Sequence, residues 1–398
     1  MRRFLLTCAV LLAAASGVLA APAPANGFET EADQAILLDA ETGAVLFEKK
    51  ADVLFAPASM SKLMTLAVLF RKLKAGEISQ QTEFPVSQYA WRTGGAPSRT
   101  SAMFAPLNST VTVGDLMQGI AVQIANDGCI VVAEGLAGSE AAFVEKMTEE
   151  ARALGLTKST FGNSTGLPHP DNKMTARELA QLALHIIREY KDFYPVFAQK
   201  EFKFRSHTFR NLNPLIAANG GVDGLMVGFA EGAGFGVVAS ATRDNRRLIM
   251  VMNGFDTVKD RKEEALKFLN WGFGNFRAYK VFASGDVAGQ VRVWGGDKRR
   301  MDVKVLADVK IPLPINAKDR QIETKIVYKG PVKTPIKEGD RIGDLVVTSQ
   351  AGTSNTVPVY AGESLEAAGM VRKGLDTIVF ELDAFVSTTV KRVFKKQT

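Results

Sequence analysis

The spacing of apolar and polar positions changes repeatedly along the chain, and each change predicts a change of structure. Ile36 to Asp39 and Val45 to Lys49 are short apolar runs flanking Glu41-Thr42-Gly43, which predicts a β-hairpin. From Pro57 onward the period lengthens. Leu63, Leu66, Ala67 and Phe70 recur at three and four residues, as on one face of a helix. Residues 114–135 and 140–154 are apolar and helix-like. Thr175-Ala-Arg-Glu178 has capping-box spacing ahead of Leu179, Leu182, Ile186 and Ile187. Phe235 to Ala241 and Leu248 to Asn253, separated by Arg243-Asp-Asn-Arg246, predict a second hairpin. Strands at both ends of a helical middle are most economically joined into one antiparallel sheet packed on the helices, an α/β fold.

Near residue 277 the character changes again. Short alternating runs follow, punctuated by Gly and Pro: Val291-Arg-Val-Trp294, Val303-Lys-Val305, Val309-Lys-Ile311, Ile326-Val-Tyr328, Leu345-Val-Val347 and Val357-Pro-Val359. They predict a small all-β domain over 277–362. After Gly374, Leu375, Ile378, Val379, Leu382, Phe385, Val386, Val390 and Val393 recur at spacings of three and four. With Lys391, Arg392, Lys395 and Lys396 at the end, residues 371–398 read as an amphipathic helix able to lie on an anionic membrane surface. A helix docked on the β domain is the plainer alternative, and Asp376, Glu381 and Asp383 dilute the positive face.

The start of the chain sets a compartment. Arg2 and Arg3 precede an apolar run from Phe4 to Ala15, and Val18 and Ala20 are small enough for signal-peptidase pockets. Residues 1–20 therefore read as a secretory signal peptide, and 21–33, rich in Ala, Pro and Glu, as a tether. Cleavage removes Cys8 and leaves Cys129 as the lone thiol, so no internal disulfide is expected. An exported chain without disulfides fits the bacterial envelope, with the protein in the periplasm and peripheral on the outer face of the cytoplasmic membrane. Composition agrees: 46% hydrophobic and 23% charged residues support a real core and exclude a disordered chain. A net charge of +7 on 398 residues is too thin to require nucleic acid as a partner. Three histidines make a multi-histidine metal site unexpected, and nothing calls for a cofactor.

Scarce histidine directs attention to a nucleophile that works without it. In Pro57-Ala58-Ser59-Met60-Ser61-Lys62, the i and i+3 positions of a helix bring the Ser59 hydroxyl and the Lys62 amine onto one face. A desolvated lysine can be neutral enough to accept the serine proton, which is acyl-transfer chemistry. A bare Ser-x-x-Lys is common, however, and alone reads as a solvated helix start.

The context is more specific. Beyond Ser59 and Lys62 the chain carries Ala125-Asn126-Asp127-Gly128 before an apolar helix, and then Ser159-Thr-Phe-Gly-Asn163. Leu167-Pro-His-Pro-Asp171 follows, with Asn211-Leu-Asn-Pro-Leu215, Val222-Asp-Gly-Leu225, Gly228-Phe229 and Val238-Ala-Ser240 further on. In the β domain come Val293-Trp-Gly-Gly296, Ile326-Val-Tyr-Lys-Gly-Pro331 and Pro335-Ile-Lys-Glu-Gly339. In this order the chain resembles the low-molecular-mass penicillin-binding proteins, the D-alanyl-D-alanine carboxypeptidases, over nearly all of its mature length. The resemblance implies a penicillin-binding domain over 34–276 with a β-lactamase-like fold. It implies that Ser59 attacks the terminal D-Ala–D-Ala bond of a peptidoglycan stem peptide, with Lys62 as base. β-Lactams would acylate Ser59 as substrate mimics. Asn126 would contact Lys62 or the substrate amide, and the oxyanion donors would be the backbone N–H groups of Ser59 and Phe229, beside Gly228.

Two motifs depart from the pattern. Relatives carry Ser-x-Asn where this chain has Ile124-Ala125-Asn126, and Lys-Thr-Gly where it has Met226-Val227-Gly228. The serine relays protons to the leaving amine, the lysine supplies positive potential, and the threonine hydroxyl binds the substrate carboxylate. Ile124, Met226 and Val227 can do none of this. Arg210, upstream of the third motif, is a candidate substitute for the missing charge, a surface arginine being the simpler reading. Two function classes follow: a carboxypeptidase of much reduced activity, or an inactive homologue that binds a cell-wall or envelope partner. A β-lactamase is disfavoured, because no deacylating glutamate stands out. His169 and His185 read as structural, His207 has no evident partner, and Cys129 reads as a buried thiol.

Overall fold

The computed structural model describes residues 27–218, 220–316, 321–350, 352–369 and 386–393. The expected signal peptide and residues 21–26 of the expected tether lie outside them, while the rest of that segment is docked rather than free: Phe28 stacks on Phe268 with ring centroids 4.8 Å apart, and Ala32 is fully buried. The two hairpins form as expected and join. The sheet runs in the order Val45–Lys49, Gln34–Asp39, Arg246–Phe255, Gly234–Arg243, Val222–Ala230, antiparallel throughout. Ile36 faces Val251 across the strand pair, Val251 faces Val238, and Val238 faces Met226, so one register carries a row of apolar residues over four strands. Val222–Ala230 is left at the edge, and this edge strand forms one wall of the site described below.

Helices Lys62–Lys74, Val113–Gln123, Asn126–Ala137, Glu140–Ala153 and Ala176–Glu189 make the helical cluster, and Val258–Asn275 follows the last strand. Local chemistry fixes their starts. The hydroxyls of Thr112, Ser139, Thr175 and Thr257 each accept the N–H three residues on. The capping box at Thr175 is only half made. Thr175 Oγ1 accepts Glu178 N–H at 3.1 Å, but the Glu178 carboxylate turns away to accept from Lys158 N–H and the Ser159 hydroxyl. That ties the helix to the loop entering Asn163.

The apolar stretch 114–135 is not one helix. It breaks at Ile124, which adopts a left-handed conformation with φ 58°, before Asn126 opens a new helix. A β-branched residue there carries a steric cost of about 1–2 kcal/mol. Periodicity could not show the break, because apolar residues continue through it. Ala58, one residue before Ser59, also has positive φ, at 48°. Strained backbone thus sits beside both the nucleophile and the second motif.

Beyond Asn275 the described residues form only strands and their connections. Phe276–Phe282 pairs with Val309–Pro314, and a larger sheet contains Val287–Trp294, Arg300–Lys304, Ser354–Ala361, Arg341–Ser349 and Gln321–Tyr328. Gln321–Tyr328 alternates buried and open positions along its length, the period-2 pattern of a half-buried strand. The six alternating runs fall in these strands, except that Val305 lies one residue past its strand end. Two separate buried clusters result, one ending at Phe276 and one beginning at Val281.

The terminal helix expected over 371–398 requires correction. Val386–Val393 is a strand, antiparallel to Gln321–Tyr328 with Thr388 opposite Ile326. Val386, Thr388, Thr389, Val390 and Val393 are β-branched, and such residues favour a pleated strand over a helix. The three-and-four spacing that suggested a helix was weaker than this composition. The rest of that expected helix lies outside the described residues. Among the described residues, no helix is long and apolar enough to cross a membrane.

Candidate active site

Ser59 lies in a short 3-10 turn, Ala58–Ser61, that leads directly into helix Lys62–Lys74. The spacing of three residues places Lys62 Nζ 2.9 Å from Ser59 Oγ, as the sequence required. Lys62 also donates to the Thr165 carbonyl at 2.5 Å and is fully buried, at 0% exposure. Burial pushes its ammonium down from the ordinary lysine range to about 8. Cys129 is itself pushed up to about 12 by burial, so it is a neutral structural thiol at neutral pH. Lys62 therefore has a substantial neutral fraction near neutral pH, the state that can accept the Ser59 proton.

The acceptor for Lys62 is built by residues that sequence reasoning left without a role. Asn163 Oδ1 accepts from Thr165 N–H at 3.2 Å, Thr165 Oγ1 at 3.0 Å, Gly166 N–H at 2.7 Å and Asn172 Nδ2 at 3.2 Å. Glu140 Oε1 accepts from Ser164 N–H and the Ser164 hydroxyl, and Thr65 donates to the Ser164 carbonyl at 2.6 Å. The loop is thereby clamped with the Thr165 carbonyl aimed at Lys62. Gly166 permits the close approach. Its φ is +71°, and a Cβ there would lie 2.0 Å from the Ala58 carbonyl oxygen.

The second wall is the start of helix Asn126–Ala137. Asn126 N–H donates to the Ser101 carbonyl at 2.8 Å and its Nδ2 donates to Thr100 Oγ1 at 2.9 Å. Its Oδ1 is buried and, among the described residues, has no partner. The expected bond from Asn126 to Lys62 is not made. Lys62 is bonded to Ser59 and Thr165, while the Asn126 amide is turned to Thr100. Asp127 anchors this wall by accepting from Met103 N–H at 2.9 Å, Ala105 N–H at 3.0 Å and Gly128 N–H at 3.0 Å. Burial raises its carboxyl above the ordinary range, and those three N–H groups oppose the rise. Asp in the first turn of an apolar helix was the one visible signal for it. Nothing in the sequence singled out Thr100 or Thr165.

The third wall is the edge strand Val222–Ala230. A Cβ at Gly228 would lie 3.0 Å from the Pro57 carbonyl oxygen and 3.2 Å from Ser59 N, so the strand backbone is brought against the nucleophile turn. Phe229 follows, exposed and packed on Phe235 with ring centroids 4.4 Å apart. Ile124, Met226 and Val227 are buried in the main core, Met226 at 1% exposure. Apolar replacements there cost the fold little.

Arg210 is exposed on the hairpin Glu201–Phe204/His207–Arg210, opposite Glu201. Its position gives it a surface role, and Lys62 is hydrogen-bonded to Ser59 and Thr165 rather than facing Arg210. His207 acquires a partner the sequence did not reveal, stacking 5.8 Å from Phe209 and lying 5.3 Å from Phe104. His169 Nδ1 accepts Asp171 N–H, and His185 packs on Tyr190 with its pKa lowered by burial. Among the described residues, no group of three or more His, Cys, Asp or Glu side chains is placed to hold a metal ion.

With this geometry in place, residues 19–257 match the family model described as D-alanyl-D-alanine carboxypeptidase. The chain belongs to the D-alanyl-D-alanine carboxypeptidase family. Residues 276–367 match a second model, the C-terminal domain of penicillin-binding protein 5. The D-alanyl-D-alanine carboxypeptidase DacA of Haemophilus influenzae is 32% identical over 357 residues, 88% of this chain and 90% of that protein. DacC of Escherichia coli is 32% identical over 348 residues, 87% of each chain. Among solved structures, penicillin-binding protein 5 of Haemophilus influenzae superposes with a TM-score of 0.75 at 30% identity, covering 85% of this chain and 98% of that one. The family's α/β fold with an all-β C-terminal domain is therefore this chain's fold.

Proposed function

We propose that this chain is a serine-type D-alanyl-D-alanine carboxypeptidase whose turnover is strongly reduced by its altered second and third motifs. Ser59 is the nucleophile and Lys62 the general base. The acyl carbon of a peptidoglycan stem peptide bonds to Ser59 Oγ, the serine proton passes through Lys62 to the amide nitrogen as the C–N bond breaks, D-alanine leaves as the amine, and water then releases the acyl group as the acid and restores Ser59. Backbone N–H groups of Ser59 and Phe229, with Gly228 allowing the approach, are the oxyanion donors, and the free Asn126 Oδ1 is available to a substrate N–H. The observation that carries this reading is the 2.9 Å contact between Ser59 Oγ and a fully buried Lys62.

The same site explains the reduction. Loss of the family lysine, threonine and serine removes charge and hydrogen-bonding partners from the transition state, on the order of 10³-fold in rate. The names of the relatives, carboxypeptidases and penicillin-binding proteins, support the stem peptide as substrate and β-lactams as acylating mimics. Residues 1–20 support export to the periplasm. A carboxypeptidase-type unit over 34–276 and a β domain over 277–362 are supported by the two family matches and the two buried clusters. Peripheral membrane attachment loses the helix that would have provided it, and it is not part of the proposal.

A second reading, a non-catalytic binding protein of the cell wall, is favoured by one observation: the Asn126 amide is committed to Thr100 rather than to Lys62. A fluorescent penicillin labelling gel separates the two. Labelling that disappears in Ser59→Ala supports the enzyme. A folded protein that takes no label supports the binding protein.

A further inference from the structure

The family pattern binds a substrate carboxylate where this chain has Met226 and Val227. Both are buried in the core, so they supply neither a cation nor a hydroxyl at that position. Beside the same site several large apolar side chains are exposed. Phe229 is 56% exposed and directly follows Gly228, which abuts Ser59 N. Leu212 is 42% exposed, and its N–H donates to the Val122 carbonyl, two residues before Ile124. Phe104 is 41% exposed and lies between Met103 and Ala105, whose N–H groups Asp127 holds. Phe229 thus lies on the third wall, Phe104 is tied through Asp127 to the second, and Leu212 is tied to the helix that ends at Ile124. Large apolar side chains left in water beside the half-buried Ser59 mark a binding surface with an apolar component.

A carboxylate entering beside Met226 and Val227 would lose water without gaining the cation or hydroxyl that the family pattern places there, whereas a neutral group would lose less. An apolar replacement therefore alters which substrates are taken as well as how fast. We propose that the cleft favours acyl donors whose leaving group is neutral, an ester or amide with no free carboxylate, over the carboxylate-terminated peptide it cleaves slowly, and that Met226 and Val227 set this preference. The proposal rests on Ser59 and Lys62 being the acylating pair. For an ester, the Ser59 Oγ–acyl carbon bond forms and the acyl carbon–oxygen bond breaks. The serine proton moves through Lys62 to the departing alkoxide, which leaves as an alcohol. Water then cleaves the acyl-enzyme to the acid and free Ser59.

The test uses the mature protein and two thioesters that differ only at the leaving group: benzoylglycyl thioglycolate, with a free carboxylate, and its methyl ester. Thiol release is followed with each, beside penicillin labelling of Ser59. The expected result is acylation by the methyl ester at least fivefold faster than by the free acid. In Met226→Lys/Val227→Thr the preference should reverse by tenfold or more. A free acid that reacts faster in the unaltered protein overturns the proposal, and loss of that advantage in Arg210→Ala would assign the carboxylate to Arg210 instead. Penicillin labelling without thiol release from either compound overturns the substrate preference while leaving Ser59 as nucleophile. Absence of both overturns the nucleophile assignment as well.

Discussion

On one side of the cleft, Lys62 is held between Ser59 Oγ and the Thr165 carbonyl, and Asn163, Glu140 and Thr65 fasten the loop behind it. On the other side, Ile124, Met226 and Val227 lie buried among core residues. In the proposed reading the first side generates a nucleophile, and the second is where the family pattern would recognise the charge of the substrate. One chain can keep the first and lose the second because they are built by different elements. The nucleophile side depends on a turn, a helix start and a clamped loop. The recognition side depends on side chains of an edge strand and a helix break, where an apolar residue packs as well as a polar one.

Substitutions on the two sides should therefore behave differently. Lys62→Ala removes the base and should slow acylation of Ser59 by about 10²–10⁴-fold, with thermal unfolding showing a folded protein. Acylation should also follow the titration of Lys62. Its pKa is lowered to about 8, so the neutral, proton-accepting form grows as pH rises, and the rate should climb between about pH 7 and 9 and then level. An acylation rate flat over that range would blur the contrast between the sides. Asn163→Ala removes an oxygen that accepts from Thr165, Gly166 and Asn172, and should destabilise the fold by about 2–3 kcal/mol. It should also slow acylation by about tenfold, since the Thr165 carbonyl is no longer fixed against Lys62. Stopped-flow acylation and chemical denaturation read the two effects separately. The smallest effect is expected at Arg210→Ala. An exposed arginine on a surface hairpin should change acylation less than about twofold.

The same contrast governs what was legible beforehand. The hairpins, their joining into one sheet and the Ser59–Lys62 pair could be read, because each depends on short-range spacing. The identity of the altered positions was equally legible, since a motif with Met226 in place of a lysine is visible in sequence. The partners of the base were not. Thr165 presents only a carbonyl, which every residue has, and Thr100 reaches Asn126 from 26 positions away. Ile124 hid a helix break inside an unbroken apolar run. The terminal segment misled for the opposite reason. A helical spacing was present in Val386, Val390 and Val393, but β-branched composition and an available neighbouring strand prevailed.

The central claim is that a working nucleophile sits beside a recognition surface that has lost its polar groups. Intact-protein mass spectrometry of penicillin acylation, timed for the natural chain and for Ile124→Ser/Met226→Lys/Val227→Thr, tests it most directly. The account predicts a single adduct on Ser59 in both, forming on the order of 10²–10³-fold faster in the triple variant. Equal rates, or no adduct in either folded protein, would contradict it.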